Sequence, residues 1–305
     1  MIKNIRTSWE KNWPEIYCAL RNGLPQFVLS PKPRLATGTV PVFCYHTPSA
    51  EVFSQDLRYL KRNGYHTLNA DELLLNLRGE TRPRGKAVVL TFDDGAHSLY
   101  HSTYPLLSKH GFKAVAFVAP YFHDHLQDPE AESRVCTWDE LREMDASGVI
   151  DVQSHTYEHR YIPRWPEASP LCGVSAAPCI AATDTNRTLE QDFVLARERL
   201  EQELGKRVRH LGFPQYNGTP EAVRTALAVG YEGLWWGTLP GIPDNRIGAD
   251  PTHIVRISGE FVRRLPGDDR VSLASVLRAR YGANLRRWTG IHKASSGAPK
   301  ERPRG

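Results

Sequence analysis

Residues 87–95, AVVLTFDDG, lead an apolar segment directly into two adjacent carboxylates and a glycine. Apolar runs of this length are typical of buried strands, and α/β proteins bind ligands where the carboxyl ends of such strands meet. Asp-Asp-Gly alone is more typical of a plain turn, because Asp bonds its own backbone and Gly accepts a positive φ. The strand before it favours a site, with Asp93 and Asp94 presented at the strand end.

A second apolar stretch, residues 149–153, leads into the sequence SHTYEH at residues 154–159. His155 and His159 are four positions apart, which allows both imidazoles to reach one ion. The same spacing also occurs by chance and on solvated helix faces. One carboxylate with two histidines, however, is the usual ligand set of a catalytic metal, whose remaining position is open to water or substrate. Two strand ends with such side chains therefore predict a metal site.

These two motifs resemble those of the polysaccharide deacetylase superfamily, carbohydrate esterase family 4. The family's first motif, TFDDG, is present at residues 91–95, and its second, Ser or Thr followed by His-x-x-x-His, at residues 154–159. The resemblance extends from about residue 40 to residue 257 and includes Tyr45-His46, a pair typical of one branch of the family. It implies a distorted (β/α) barrel that removes acyl groups from carbohydrates with the help of a metal.

Transferred residue by residue, the resemblance implies that Asp94, His155 and His159 bind one divalent metal ion, with Zn2+ expected, and that Asp93 is the catalytic base. The chemistry agrees, because a divalent metal polarises a bound carbonyl and lowers the pKa of bound water to about 7. Gly95 permits the turn that both acids need to serve one site. The alternative for Asp93 is a partner that only orients a metal ligand.

The third family motif is altered in this chain. Residues 213–217 read FPQYN, where the family has Arg-Pro-Pro-Tyr-Gly. Tyr216 is retained, and the resemblance implies that its backbone N–H donates to the oxyanion of the tetrahedral intermediate. The arginine that normally holds the base is missing. Arg256, in the sequence HIVRI at residues 253–257, is a candidate replacement, and the alternative is an ordinary surface arginine.

The family's late general-acid histidine is not recognisable in the sequence. His253 lies in the corresponding region at another spacing, which favours a solvated loop histidine. His46 is the better candidate, since it closes an apolar strand at the same predicted sheet end as Asp94. Its imidazole could protonate a leaving amine near neutral pH. The alternative is a core histidine at a strand end.

Three tryptophans are candidates for substrate binding. Trp165 lies in an irregular segment, and Trp235 and Trp236 end a predicted strand. Their indole rings could stack on the face of a sugar. A tryptophan pair is also common in cores and interfaces, so both interpretations remain open.

Strand and helix patterns alternate along residues 40–258, which is typical of a parallel sheet with crossover helices. We expect strands near residues 40–45, 87–92, 113–119, 149–153, 208–213 and 231–236, and helices near residues 51–63, 98–110, 138–147, 188–204 and 219–229. Two irregular segments, 121–136 and 160–187, are expected to be active-site loops. The predicted organisation is an N-terminal extension (1–36), a catalytic domain (37–282) and a basic disordered tail (283–305).

The 305-residue chain has a formal net charge of +5, much of it in the last segment. The sequence has no stripe of basic and aromatic residues of the kind that binds nucleic acids. It also has no apolar run that approaches the length of a membrane span. Five cysteines without close pairing, and an N-terminus without the pattern of a secretion signal, favour a cytoplasmic protein with reduced thiols.

We therefore expect a metal-dependent hydrolase that removes an N-acetyl or similar N-acyl group. Its substrate would be an acylated amino sugar, an oligosaccharide, or a nucleotide- or lipid-linked saccharide that serves as a glycan precursor. Two alternatives remain open. The same site could remove an O-acetyl group from a saccharide, or the chain could be a catalytically weak relative that keeps the metal and binds carbohydrate.

Overall fold

The computed structural model describes residues 17, 18, 20–125, 135–159, 162 and 187–280. Within these residues, eight strands pair in parallel in one sheet, with the order β7-β6-β5-β4-β3-β1-β8 and with β2 beside the first half of β3. The sheet curls into the distorted (β/α) barrel expected from the sequence. The strands are β1 (Val42–Tyr45), β2 (Tyr65–Thr67), β3 (Lys86–Asp93), β4 (Ala114–Val118), β5 (Ile150–Ser154), β6 (His210–Gly212), β7 (Gly233–Trp235) and β8 (Ile257–Ser258).

The barrel is closed by residues 254–258, which reach both edges of the sheet. Ile254 forms a parallel bridge with β7, supported by backbone hydrogen bonds of 2.8 and 3.0 Å. Ile257 and Ser258 pair with β1. Arg256 lies between these two contacts, at the seam of the barrel.

Side chains of β3 alternate between two apolar layers. Val89 packs inside the barrel with residues of the other strands, namely Val42, Val115, Phe117 and Trp235. Leu90 and Phe92 belong to the larger layer between the sheet and the helices. Because successive residues of a strand point to opposite faces, Thr91 and Asp93 share the interior face with Val89. Burial on both faces explains why this strand is apolar almost throughout.

Helices cover the outside of the sheet. They are α1 (Gln26–Leu29), α2 (Ala50–Arg62), α3 (Ala70–Leu77), α4 (Tyr104–His110), α5 (Pro120–His125), α6 (Trp138–Ala146), α7 (Leu189–Leu204) and α8 (Pro220–Val229). Capping boxes at Asn69, Thr137 and Thr188 begin α3, α6 and α7, since each satisfies two N–H groups that a helix start leaves unpaired. None of the described helices is long and apolar enough to cross a membrane.

The predicted strands and helices are present, with three differences. The expected elements lack β2 and α3, and they also lack the short elements α1 and β8. Helix α5 occupies the start of segment 121–136, which was expected to be a loop. The predicted helix 98–110 begins as a π-helical turn, Leu99–Thr103, because Pro105 has no N–H to donate to the His101 carbonyl and its ring crowds that carbonyl.

The described end of the predicted N-terminal extension packs on the barrel. Phe27 of α1 is buried against Phe43 of β1, with ring centroids 6.2 Å apart. Arg264 donates to the carbonyl of Val28 at 2.9 Å, and Arg270 donates to that of Phe27 at 2.7 Å. Residues 1–16, most of segment 160–187 and the predicted tail lie outside the described residues.

Candidate active site

Asp93 and Asp94 lie at the carboxyl end of β3, where the chain turns sharply. Asp93 ends the strand and is 2% exposed. Asp94 (φ +70°) and Gly95 (φ +61°) both adopt the left-handed conformation, so the second carboxylate also turns toward the strand ends. A Cβ at position 95 would lie 2.7 Å from the His123 ring and 2.9 Å from Val118. Close packing as well as backbone conformation therefore requires glycine there.

His155 and His159 lie in the loop after β5, and hydrogen bonds fix the shape of that loop. Nδ1 of His155 lies 2.7 Å from the carbonyl oxygen of Gly212, which holds the imidazole in place. Asp192 of α7 accepts two consecutive backbone N–H groups of the loop, at 3.0 and 3.2 Å. The two imidazoles meet with ring centroids 4.8 Å apart, although the loop is not helical.

Asp94, His155 and His159 form a group that could hold a metal ion. Oδ1 of Asp94 lies 3.3 Å from Nε2 of His159 and 3.7 Å from Nε2 of His155. This oxygen is buried and accepts no hydrogen bond of regular geometry, so a cation is the partner that suits it. Mixed nitrogen and oxygen ligands of this kind fit a divalent metal such as zinc.

The protonation states of these ligands also suit a metal. Burial lowers the pKa of His155 to about 4, so the imidazole is neutral near pH 7, the form that binds metals. Burial opposes ionisation of Asp94, but His159 and His155 hold the pKa of this carboxyl well below its ordinary value. The group therefore combines one carboxylate anion with at least one neutral imidazole.

Arg256 holds the other carboxylate. Its Nη1 donates to Oδ1 of Asp93 at 2.7 Å, and its Nε donates to the carbonyl of Trp236 at 3.0 Å. Burial opposes ionisation of Asp93, but the Arg256 guanidinium, with His155 and His46, holds its pKa below the ordinary value. The structure thus places Arg256 on the predicted base, and not on the surface.

Cys44 also contacts the predicted base, and the sequence analysis did not identify it. Its sulfur lies 3.4 Å from Oδ2 of Asp93 and 3.6 Å from the hydroxyl of Tyr216. Burial and the neighbouring carboxylate raise the pKa of the thiol to about 12, so the thiol stays protonated and can donate to Asp93. Strand alternation was the available signal, because Cys44 pairs in register with Thr91 on the interior face.

Tyr216 follows β6 in a short 3-10 turn, Pro214–Tyr216. Its ring lies 5.2 Å from the guanidinium of Arg256, which brings the side chain to the base. Its backbone N–H, however, donates to the carbonyl of Phe213 at 3.0 Å. In this conformation the turn uses the donor that was expected to bind the oxyanion, so that role would require the turn to open.

His46 follows β1 at the same end of the sheet and is exposed. Its ring lies edge to face with that of Tyr216, at a centroid distance of 6.1 Å. It is also close enough to lower the pKa of Asp93 and of Asp94. The structure therefore brings His46 beside the carboxylates, and it is not a core histidine. His253 instead stacks on Trp236, with ring centroids 5.6 Å apart.

Trp235 and Trp236 lie in the core, with exposed fractions of 0% and 1%. Trp235 packs on Phe117 inside the barrel, and Trp236 packs on Phe213. The interpretation that this pair stacks on a sugar is wrong for this structure, because neither indole presents an open face. Trp165 lies outside the described residues.

Comparisons with known proteins agree with this architecture. A sequence model of the family described as polysaccharide deacetylase matches residues 80–234. YxkH of Bacillus subtilis (strain 168), a provisionally named polysaccharide deacetylase, is 32% identical over 128 residues, which cover 39% of this chain and 43% of that protein. The poly-β-1,6-N-acetyl-D-glucosamine N-deacetylase of Escherichia coli (strain K12) is 32% identical over 118 residues, 35% of this chain and 17% of that protein. The chain thus spans less than half the length of these curated relatives.

Solved structures show the same fold. IcaB from Ammonifex degensii matches with a TM-score of 0.59 and 25% identity, over 76% of this chain and 97% of that chain. The deacetylase PplD of Streptococcus pyogenes matches with a TM-score of 0.55 and 20% identity, over 73% and 93%. Because the family match covers more than half of the 305 residues and includes both ligand motifs, the chain belongs to the polysaccharide deacetylase family.

Proposed function

We propose that this protein is a metal-dependent N-deacetylase that removes acetyl groups from a glycan, or glycan precursor, containing an amino sugar. The observation that carries the proposal is that two adjacent carboxylates have different partners. Asp94 faces His155 and His159 at 3.7 and 3.3 Å, whereas Asp93 is held by Arg256 at 2.7 Å. One acid is thereby suited to bind a metal, and the other to act as a base beside it.

A divalent ion on Asp94, His155 and His159 would polarise the carbonyl of the acetyl group and make water acidic enough to serve as a nucleophile. A hydrogen bond to the backbone orients one of these ligands. The Gly212 carbonyl occupies Nδ1 of His155 at 2.7 Å, which leaves Nε2 as the ligand atom and fixes the orientation of the ring.

Asp93 would accept the proton of the attacking water. Its Oδ1 is occupied by Arg256, and its Oδ2 lies 3.9 Å from Nε2 of His155. Oδ2 is therefore the oxygen beside the metal ligands, and the Cys44 thiol supports it from the barrel interior at 3.4 Å. The lowered pKa of Asp93 keeps the carboxylate ionised at neutral pH, as a base requires.

His46 would donate a proton to the departing amine. An amide bond breaks readily only when its nitrogen leaves as a neutral amine, and an imidazole can supply the proton near neutral pH. His46 is exposed at the end of β1, beside Tyr216 and close to both carboxylates. Its position suits a group that must reach the substrate from the solvent side of the buried base.

The relatives support the substrate class. The matched part of the Escherichia coli enzyme belongs to a protein named for removing N-acetyl groups from poly-β-1,6-N-acetyl-D-glucosamine, and IcaB matches over nearly its whole length. We infer that an N-acetylated amino-sugar oligomer is the substrate. A cytoplasmic location remains a prediction from the cysteine pattern and the N-terminal sequence.

Acetate release by the purified protein tests this function. The substrates are N-acetylated β-1,6-linked glucosamine oligomers, chitin oligomers and UDP-N-acetylglucosamine, each assayed before chelation, after chelation and after Zn2+ is returned. We expect acetate and free amine in equal amounts from an oligomer, with loss on chelation and recovery with Zn2+.

Two variants complete the test. Asp93→Asn should release no acetate. Asp139→Asn, which changes an acid of α6 whose side chain is 90% exposed, should behave as the unaltered protein. Release only from O-acetylated saccharides would reassign the protein as an esterase, and no release from any substrate would contradict the proposal.

A further inference from the structure

A second group of metal-binding side chains follows the same turn of the chain. His97 and His101 come after Asp94, and Glu140 lies in the first turn of α6. One nitrogen of each imidazole and one carboxylate oxygen lie within 4.8 Å of one another. None of the three residues belongs to the candidate active site.

The two histidines lie on one side of a single helical turn. The N–H of His101 donates to the carbonyl of His97 at 3.3 Å, and the chain continues through the π-helical turn Leu99–Thr103. This geometry stacks the imidazoles, with centroids 3.8 Å apart and planes tilted by 31°. Two histidines four positions apart on a helical turn are a common arrangement for binding one zinc ion.

Glu140 brings a third ligand from a different element. Its Oε1 lies 3.0 Å from Nε2 of His101, while its Oε2 accepts the backbone N–H of Thr137 at 2.8 Å. The capping box of α6 therefore fixes the carboxylate before any ion binds. The side chain is only 16% exposed, whereas that of His101 is 47% exposed, so the site is accessible from solvent on its histidine side.

We propose that His97, His101 and Glu140 form a second divalent transition-metal site. Tetrahedral ligands about 2.1 Å from a zinc ion lie about 3.4 Å from one another, so the two imidazoles would have to rotate out of their stack to direct both nitrogens at one ion. Two imidazoles and one carboxylate suit Zn2+, Co2+ or Ni2+, whereas Mg2+ and Ca2+ prefer oxygen ligands alone.

A bound ion would tie α6 to the segment that carries the two acids. Backbone contacts already join these parts of the chain, since Cys136 donates to the carbonyl of Gly95 at 2.9 Å and Ala96 bridges to Val135. The ion would add a side-chain link three residues after Asp94. Because it binds only the folded arrangement, occupancy should raise the stability of the protein.

Metal binding to a full-length variant without the active-site histidines tests the proposal. His155→Ala/His159→Ala is freed of metal with a chelator and titrated with Zn2+, and bound metal is measured by equilibrium dialysis and elemental analysis. We expect about one ion per chain. Adding His97→Ala/His101→Ala should abolish this binding. A matched control adds His110→Ala/His125→Ala, two histidines outside both groups, and should leave the binding unchanged.

A second measurement uses the otherwise unaltered protein, in case the active-site variant does not fold. His97→Ala/His101→Ala should bind one Zn2+ fewer per chain and show a smaller rise of Tm on addition of Zn2+. The proposal is overturned if the folded His155→Ala/His159→Ala variant binds no Zn2+, or if removing His97 and His101 changes neither the bound metal nor the rise of Tm. Since the readout is binding, it is independent of acetate release.

Discussion

Replacing Arg256 by methionine should destabilise the protein most at neutral pH and least in acid. Both members of the Arg256–Asp93 pair are buried, with side-chain exposures of 0% and 2%. Removing one partner of a buried pair costs about 3–5 kcal/mol, because the other charge is left uncompensated. Methionine retains most of the aliphatic volume, so the loss of charge should dominate over the loss of packing.

The pH dependence follows from the sign of the pKa shift. In the unaltered protein the folded-state pKa of Asp93 lies below its unfolded value. Ionised Asp93 therefore adds to the free energy of unfolding above about pH 4, and this stabilisation is lost as the pH falls through the folded pKa. Without Arg256, burial would raise the folded pKa of Asp93 above the unfolded value. The free-energy cost of burying ionised Asp93 would then be greatest at neutral pH. It would disappear as the pH falls and the buried carboxyl takes up a proton.

Urea denaturation of chelator-treated proteins at about pH 7.5 and about pH 4.5 measures this difference. We expect Arg256→Met to lose about 3–5 kcal/mol at the higher pH and much less at the lower. Asp93→Asn/Arg256→Met, which removes both charges, should recover much of the loss. As a control, Arg62→Met breaks a pair whose side chains are 65% and 69% exposed and should cost less than about 1 kcal/mol. An equal loss at both pH values, or a double variant no more stable than Arg256→Met, would refute the reasoning.

Three further predictions concern the roles within the site. Purified protein should hold a divalent metal at the active-site group, and His155→Ala or His159→Ala should remove it; elemental analysis showing equal metal in all three proteins would contradict the ligand assignment. Asp93→Asn should keep the metal and lose turnover, whereas Asp94→Asn should lose both, and the opposite pattern would reverse the two roles. His46→Ala should lower turnover on an N-acyl substrate by roughly 10²–10⁴-fold and that on an activated ester much less; equal losses on both substrates would exclude a general acid.

Sequence patterns predicted the parts of the site that are encoded locally. The apolar run of β3 ends directly in Asp93 and Asp94, and the run of β5 is followed by His155. Parallel strands share one carboxyl end, so the two motifs had to meet wherever their strands formed one sheet. For the same reason His46, after β1, could be placed beside them.

The contacts of the base could be predicted only in part, because they depend on packing between distant segments. Arg256 lies 163 residues after Asp93, and nothing local distinguishes it among 39 lysines and arginines; only the altered third motif suggested that a replacement was needed. The burial of Trp235 and Trp236 was hard to predict for a different reason. Adjacent residues at a strand end face opposite sides of the sheet, so each indole lies in its own layer. Both layers proved to be apolar, so both rings are buried.

Closure of the barrel by residues 254–258 links the completeness of the fold to the chemistry of the base. Until this late segment is in place, the edges of β1 and β7 lack the partner that they share, and Asp93 lacks its guanidinium. A chain that ends before residue 254, or one still emerging from the ribosome, would contain every proposed metal ligand but would have an open sheet and an uncompensated buried acid. Such long separations in sequence also slow folding. Asp93 can therefore act as a paired base only after residues 254–258 have closed the barrel and brought Arg256 to it.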